Sequence, residues 1–192
     1  MTAGVPVRAV LDACVLVPPV VRDCLLSAAA AGAYRPFWSD RILGEWAHAA
    51  ARHGRDDGPV IAAAQAQFPA ARVPPAPGVE ARLHLPDAGD VHVLATAVAG
   101  SADTIVTWNA ADFPRGALAA EGVARRDPDG FLWELWSLDP EGVSAALERV
   151  RARAEAMAGT PVALGPLLKR ARLTRLARAV AVWGSAGKPP AG

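Results

Sequence analysis

The chain has 192 residues, enough for one folded domain or for one domain with a small appendage. Ala, Val and Leu dominate, and no run of about 18 apolar residues lacks a charge or a Gly or Pro break, so we expect a folded core and no membrane span. The two cysteines, Cys14 and Cys24, are too few for a disulfide framework, which favours reduced thiols and a cytoplasmic location.

Charge is distributed unevenly along the chain. Residues 1–148 hold 11 Lys and Arg against 18 Asp and Glu, a net charge of −7, whereas residues 149–192 hold 9 Lys and Arg against one acid, a net charge of +8. An acidic body with a basic tail is typical of a protein whose tail meets a polyanion, but an Arg-rich helical face in solvent has the same composition. Because the first lysine is Lys169, the phosphate-binding loop that ends in Gly-Lys-Ser or Gly-Lys-Thr is excluded from the body.

The first part of the chain predicts one buried strand followed by helices. β-branched and apolar residues in "VRAVLDACVLV" indicate a strand that ends near Leu11. Proline at the start, glycine at the end and apolar residues at helical spacing predict a helix over 18–32, and "AYRPFW" predicts a short extended piece. Ser39 is the expected N-cap of a helix over 40–54, and a further helix is expected over 58–68.

Strands and helices alternate in the middle of the chain. Residues 69–86 contain five prolines, which predict a loop with one short strand around 71–73. The elements expected after this loop are a helix from about 87–90 to Gly100, a strand over 103–108, a turn over 109–114, a strand over 122–127 and a helix over 128–138. This order indicates an α/β domain with a mainly parallel sheet.

The sequence after residue 138 shows only helical patterns. We therefore divide the chain into an α/β domain over 1–137, an all-helical C-terminal extension over 138–185 and a tail over 186–192 that we expect to fray.

Four acids stand where an α/β fold brings side chains together. Asp12 follows the first strand and Asp112 follows the strand in "DTIVTW", so both are expected at the carboxyl edge of the sheet, where ligands bind. Asp90 joins them if the short strand in the proline-rich loop precedes its helix, and Glu45 lies in the middle of a helix. Two like charges about 4 Å apart repel by about 4 kcal/mol at an effective dielectric constant of 20, so their convergence requires protonation or a hard divalent cation such as Mg²⁺. Such a pocket beside a basic tail indicates hydrolysis of phosphodiester bonds.

Each acid also has a structural interpretation. Asp12 could cap the turn after its strand, although a charge between "AVL" and "ACVLV" is costly to bury without a partner. Asp90 could be a helix N-cap, Asp112 an ordinary turn residue and Glu45 a solvent-facing helix residue. Zinc is not expected, because the four histidines have no partner at convincing zinc-ligand spacing.

Four segments resemble the acidic motifs of a PIN domain. "VLDACVLV", "SDRILGEW", "LPDAGDVHVLATAVAG" and "TIVTWNAADFP" occur in the order of that family, within residues 7–137. The resemblance implies a three-layer α/β/α fold and a metal-dependent endoribonuclease of the VapC type, the toxin of a bacterial type II toxin–antitoxin pair. It also implies 5′-phosphate and 3′-hydroxyl products, tRNA or another structured RNA as substrate, a cognate antitoxin and a homodimer. The helical extension resembles the tail of a longer VapC subgroup.

The resemblance assigns roles to individual residues. The catalytic residues, which are also the ligands of Mg²⁺ or alternatively Mn²⁺, are Asp12, Glu45, Asp90 and Asp112. The residues at supporting positions are Ser39, Thr107 and Asn109, with Asp87 as a cap or a further supporting group. The candidates for holding RNA in the basic tail are Arg170, Arg172 and Arg175.

Two other functions compete with the nuclease. A PIN-like module that holds RNA or a partner protein without cutting would use the same acids structurally. A phosphatase with an Asp nucleophile is disfavoured, because "LDACV" lacks a second Asp two residues on and the body has no lysine to hold a phosphate.

Overall fold

The computed structural model describes residues 6–185, and its centre is a parallel four-stranded sheet. The strands are β1 (Arg8–Leu11), β2 (Arg35–Phe37), β3 (Thr104–Val106) and β4 (Ala124–Arg126). Their order is β2-β1-β3-β4, so β1 and β3 lie side by side at the centre. The residues of β3 and the last three of β1 are buried, which agrees with the apolar runs that predicted these strands.

Helices cover the sheet and, with the loops between them, form the rest of the described chain. They are α1 (Ala13–Leu16), α2 (Pro19–Ala30), α3 (Asp40–Arg52), α4 (Gly58–Gln67), α5 (Pro77–Glu80), α6 (Val91–Ala99), α7 (Arg115–Ala120), α8 (Pro128–Leu138), α9 (Pro140–Ala158), α10 (Leu164–Arg170) and α11 (Thr174–Ser185). Helix α6 packs against β1 and β3, and α2 packs against β2. This is the expected α/β/α fold with a helical C-terminal region.

The prediction of a strand around residues 71–73 in the proline-rich loop is wrong, because this segment does not form a strand of the sheet. The structure has a single parallel bridge there, between Trp38 and Arg72. The Trp38 N–H donates to the carbonyl of Ala71 at 3.0 Å and the Val73 N–H donates to the carbonyl of Trp38 at 2.8 Å. Two prolines follow directly, and because proline has no N–H the pairing stops. The bridge nevertheless extends the edge of the sheet beside β2 and leads the chain, through α5, to the start of α6.

Three short helices, α1, α5 and α7, were not predicted. Helix α1 begins directly after Asp12, so the acid ends β1 and begins a helix rather than a loop. Four residues are too few to show a helical period, which explains why α1 and α5 are invisible in the sequence pattern.

The C-terminal extension is packed onto the α/β domain. Helix α9 contacts α2 and α8, and α11 contacts α8 and α10. Buried side chains of the extension, among them Leu147, Leu168 and Leu176, belong to the same apolar core as the sheet. The chain passes from α8 to α9 at Asp139, next to the expected boundary, and the expected tail over 186–192 lies outside the described residues. Within residues 6–185 no helix is long and apolar enough to cross a membrane.

Candidate active site

Asp12 lies at the carboxyl end of β1, in the middle of the sheet. Its backbone N–H continues the strand pairing by donating to the carbonyl of Val106 at 3.1 Å, and its residue is only 5% exposed. Two side chains donate to the same carboxylate oxygen, Oδ2: the Thr107 hydroxyl at 2.7 Å and the Cys14 thiol at 3.1 Å. These bonds hold the carboxylate in one orientation, and they leave Oδ1 without a donor from the part of the chain that the structure describes.

Cys14 links the two central strand ends. Its sulfur accepts from the Trp108 N–H at 3.2 Å and lies 3.4 Å from the Thr107 hydroxyl oxygen. Burial, together with the nearby charge of Asp12, raises the pKa of the Cys14 thiol to about 12. The thiol is therefore protonated at neutral pH and serves Asp12 as a donor.

Glu45 lies on α3, and its carboxylate is between the side chains of Arg41 and His92. Arg41, one helical turn earlier, donates from Nε to Glu45 Oε1 at 3.4 Å. The Nε2 atom of His92, on α6, lies 2.9 Å from the same oxygen. His92 is 4% exposed, and neither ring nitrogen has a hydrogen-bond partner of good geometry within the described residues. Burial first and Arg41 second lower the pKa of His92 to about 4, so the ring is neutral at pH 7.

Asp90 shows that the acids converge on one place. Its pKa is raised to about 6, first by burial and then by the negative charges of Asp12, Asp112, Asp87 and Glu45. The pKa of Glu45 is also raised, mainly by burial, with Asp12 contributing against the opposing effect of Arg41. Asp12, Glu45 and Asp112 are thus near enough to Asp90 to disfavour its ionisation, which is the electrostatic signature of a cation site.

The acids nevertheless stop short of a closed ligand set. Within residues 6–185, no three Asp, Glu, His or Cys side chains are arranged to hold a metal ion. The donor set is made of carboxylates, which suits a hard cation such as Mg²⁺ that binds through one or two of them and keeps several waters. The donor chemistry therefore fits a hydrated divalent ion better than one enclosed by protein ligands.

The predicted supporting residues divide into two groups. Thr107 contacts Asp12 directly, and the Asn109 N–H donates to the Thr107 hydroxyl oxygen at 2.9 Å. Ser39 caps α3, because its hydroxyl accepts from the Ile42 N–H at 3.3 Å. Asp87 caps the 3₁₀ turn before α6 by accepting from the Gly89 N–H at 2.7 Å, and its backbone carbonyl accepts from the Asp90 N–H at 3.2 Å. Its charge also helps to raise the pKa of Asp90.

The three predicted RNA-binding arginines lie on the surface of the extension. The guanidinium of Arg172 lies over the Trp108 ring, 4.9 Å from its centre, and that of Arg175 lies over the Trp133 ring at 3.9 Å. Arg170 is exposed. Two of the three therefore bring the extension against the side of the α/β domain where β3 ends.

Three residues near the acids were missed by the sequence reasoning: Cys14, Arg41 and His92. Arg41 binds Glu45, Glu80 and the carbonyl of Gly89, and so ties α3 to the start of α6. The spacing of Arg41 and Glu45, four residues apart on one helix, was an available signal. Cys14 and His92 each follow an acid by two residues, but in an apolar context such residues are typical of a core.

Two family models match the chain. A PIN-domain model matches residues 8–111, more than half of the chain. The chain belongs to the PIN-domain family. A second model, the VapC50 C-terminal domain, matches residues 128–182, so this is a VapC-type PIN protein with a C-terminal extension. Comparison with curated proteins and with solved structures gave no significant match.

The matches cover most of the site. The PIN-domain match includes Asp12, Glu45 and Asp90, and it ends one residue before Asp112. At the level of the family, the chain is a nuclease of the VapC toxin type, and PIN domains generally depend on a divalent metal.

Proposed function

We propose that this PIN protein is a Mg²⁺-dependent endoribonuclease and the toxin of a bacterial type II toxin–antitoxin system. The observation that carries the proposal is the pKa of Asp90, raised to about 6 first by burial and then by the charges of four other carboxylates, those of Asp12, Asp112, Asp87 and Glu45. A site that concentrates negative charge in this way is unfavourable for the free protein and favourable for a divalent cation.

The residues of the site have distinct roles in this proposal. Asp12, Glu45, Asp90 and Asp112 hold Mg²⁺, or Mn²⁺ in its place. The bound ion supplies a Lewis acid for the scissile phosphate and lowers the pKa of a water molecule. Thr107 and Cys14 keep Asp12 in one orientation through their bonds to Oδ2, so that Oδ1 is available to the ion.

The direct test compares Asp12→Asn with the unsubstituted protein and with Asp103→Asn. Asp103 is an exposed acid at the opposite end of β3, where it accepts from the Arg8 N–H at 2.8 Å, so it controls for loss of charge away from the site. We expect Asp12→Asn to lower Mg²⁺-dependent cleavage of total RNA at least about a hundredfold and to relieve growth arrest on expression. Asp103→Asn should cleave normally. Undiminished cleavage by Asp12→Asn would overturn the proposal.

A second candidate is a PIN module that binds RNA or a protein without cutting it. It is favoured by one observation: within residues 6–185 no three ligand side chains are arranged to hold a metal ion. Calorimetry with Mn²⁺ separates the two functions. Metal binding that Asp12→Asn abolishes supports the nuclease, whereas absence of metal binding together with tight binding of uncut RNA supports the silent module.

The toxin proposal includes partners that can be sought directly. We expect an antitoxin encoded in a neighbouring reading frame, a homodimer in solution and a structured RNA such as tRNA as the substrate, with the protein acting in the cytoplasm. Mapping of cleavage ends identifies the RNA, and the proposed chemistry leaves 5′-phosphate and 3′-hydroxyl ends. Sedimentation of the purified protein reports the oligomeric state.

A further inference from the structure

A cavity of about 640 Å³ lies beside the acids, at the carboxyl end of β3 and along β4. Its walls come from α7, β4, the start of α8 and Arg175 of α11, so both the α/β domain and the extension contribute. Its size is within the range of ordinary ligand sites. None of the four proposed metal ligands lines it, so it is a separate feature from the acidic site.

Positive charge dominates this cavity. Four arginines line it, Arg115, Arg125, Arg126 and Arg175, against two acids, Asp127 and Glu134. Both acids are already engaged. Glu134 binds Arg126 through both carboxylate oxygens, at 2.9 and 3.0 Å, and Asp127 accepts from the Gly130 N–H as the cap of α8.

The guanidinium groups of the remaining arginines have no acidic partner within residues 6–185, although the Arg175 backbone N–H donates to Asp129 Oδ2 at 2.8 Å. The structure contains no ion pair to Arg115, Arg125 or Arg175 in that part of the chain. Arg125 lines the cavity, and its buried Nε atom lacks an acceptor in that part of the chain, so the protein leaves this charged donor unsatisfied. The guanidinium of Arg175 lies 3.9 Å over the Trp133 ring, which fixes it in place at the mouth of the cavity.

The cavity begins one side chain away from the acids. Thr107 lies in its wall, and the hydroxyl of the same residue donates to Asp12 Oδ2 at 2.7 Å. Trp108 also lies in the wall, and the guanidinium of Arg172 lies 4.9 Å over its ring. A polyanion whose scissile group lies at the acids therefore meets these arginines within a short distance along its backbone. An acidic peptide would neutralise the arginines of the cavity, but it would give no role to the proposed metal-binding acids beside it.

We propose that this cavity is a phosphate subsite for RNA, which holds a backbone phosphate next to the bond that is cut. Arg115 and Arg125 of the α/β domain and Arg175 of the extension contact the phosphate. The identity of this ligand rests on the proposed nuclease function. The subsite gives the extension a direct part in binding RNA, because the α/β domain alone leaves it incomplete.

The test measures RNA binding in the Asp12→Asn background, where no cleavage is expected. Fluorescence anisotropy with a mixed-sequence 12-nucleotide RNA is recorded over a series of KCl concentrations, without divalent metal. Arg115→Gln, Arg125→Gln and Arg175→Gln are each compared with Arg35→Gln. Arg35 is exposed at the amino end of β2, far along the sheet from the cavity, and is the matched control.

Each cavity variant is expected to weaken binding severalfold and to reduce the slope of log Kd against log salt by about 0.7, the value for one lost phosphate contact to a single strand. Arg35→Gln should leave the affinity and the slope unchanged. An unchanged slope in all three cavity variants would overturn the subsite. If Arg125→Gln fails to fold, the exposed Arg115 and Arg175 variants decide.

Two further measurements identify the polyanion and separate its binding from catalysis. Poly-uridylate should displace the labelled RNA at a much lower concentration than poly-glutamate of equal charge, and equal displacement would overturn the RNA assignment in favour of an acidic protein segment. Cleavage by the unsubstituted protein is measured separately. If that protein cuts no RNA while the binding slope still depends on the cavity arginines, the nuclease proposal fails and the subsite stands.

Discussion

The hydroxyl of Thr107 donates to Asp12 Oδ2 at 2.7 Å and joins the end of β3 to the end of β1. The same hydroxyl oxygen accepts from the Asn109 N–H at 2.9 Å, so its single proton is directed at the carboxylate. A side chain on one strand thus sets the orientation of the acid on the next. The site depends on this cross-strand bond as well as on the acids themselves.

Thr107→Val is expected to lower both stability and activity. The substitution keeps the shape of the side chain but removes a hydrogen bond to a charged group, a loss of about 1.5–3 kcal/mol in the free energy of unfolding. With Asp12 no longer fixed, we expect RNA cleavage to fall about tenfold and metal affinity to weaken. Urea denaturation and calorimetry measure the two effects.

Thr104→Val is the matched control for that substitution. Thr104 is buried at the start of β3, but its hydroxyl has no hydrogen-bond partner among residues 6–185. Its replacement by valine should leave activity unchanged and stability equal or slightly higher, because an unsatisfied polar atom is removed. Equal losses in the two variants would show that the Thr107 bond has no special role.

His92→Phe is expected to lower activity while preserving stability. The ring is buried and its two nitrogens lack aligned partners within the described residues, so removing them should leave the free energy of unfolding unchanged or raise it. The Nε2 atom lies 2.9 Å from Glu45 Oε1, and we expect its loss to free Glu45 and lower kcat about tenfold with a smaller change in KM. Steady-state cleavage and thermal unfolding provide the measurements. A loss of stability that accounts for the loss of activity would contradict this positioning role.

The metal-free protein should show an abnormal titration at Asp90. Its pKa is raised to about 6, first by burial and then by the neighbouring acids, so the folded state holds a proton that the unfolded chain releases near 4. Relative to Asp90→Asn, the unsubstituted protein should therefore lose stability as the pH rises through this interval. Adding Mg²⁺ should restore that stability at neutral pH.

Carbon NMR of the Asp90 carboxyl gives a direct check on that titration. The midpoint is expected near pH 6 without metal, and Asp112→Asn should lower it because one of the repelling charges is gone. A midpoint near 4 in the metal-free protein would contradict the proposed convergence of the acids.

Asp57→Asn is expected to lower the free energy of unfolding, although Asp57 is not one of the acids of the proposed metal site. Burial alone would raise the pKa of Asp57, but the Trp46 indole N–H at 2.7 Å and the guanidiniums of Arg55 and Arg22 lower it overall. Arg22 is buried with it, so Asp57→Asn leaves that guanidinium with only the half-buried Asp23 as its ion-pair partner, at a cost of up to about 3–5 kcal/mol. Arg22 and Arg55 also bind carbonyls at the end of α1, and through them the loss should reach Asp12.

The same group predicts how the protein responds to acid. Because the folded pKa of Asp57 lies below its unfolded value, its contribution is present at neutral pH and is lost as the pH falls below about 4. Urea denaturation at pH 7 and pH 3 should show this loss in the unsubstituted protein and not in Asp57→Asn. Asp56→Asn is the control, because this exposed neighbour only accepts from the Gly58 N–H.

Long apolar runs and the order of the acids were readable from the sequence. The strands β1, β3 and β4 and the helices α2, α3, α6 and α8 follow from local period and capping, which depend only on residues near each other in the chain. The prediction of a strand around 71–73 was wrong, because the prolines that follow limit the pairing to a single bridge.

The sequence by itself determined which residue types are available: carboxylates at strand and helix ends, an apolar sheet and a basic C-terminal part. Only the tertiary structure decided which of them meet. Thr107 and Asp12 are 95 residues apart and come together because β3 lies next to β1. Arg175 of α11 lines the same cavity as Arg125 of β4 because α11 packs against α8, which follows β4. Local patterns carry no information on such neighbours, since strand order and helix packing arise from burial of the whole apolar surface at once.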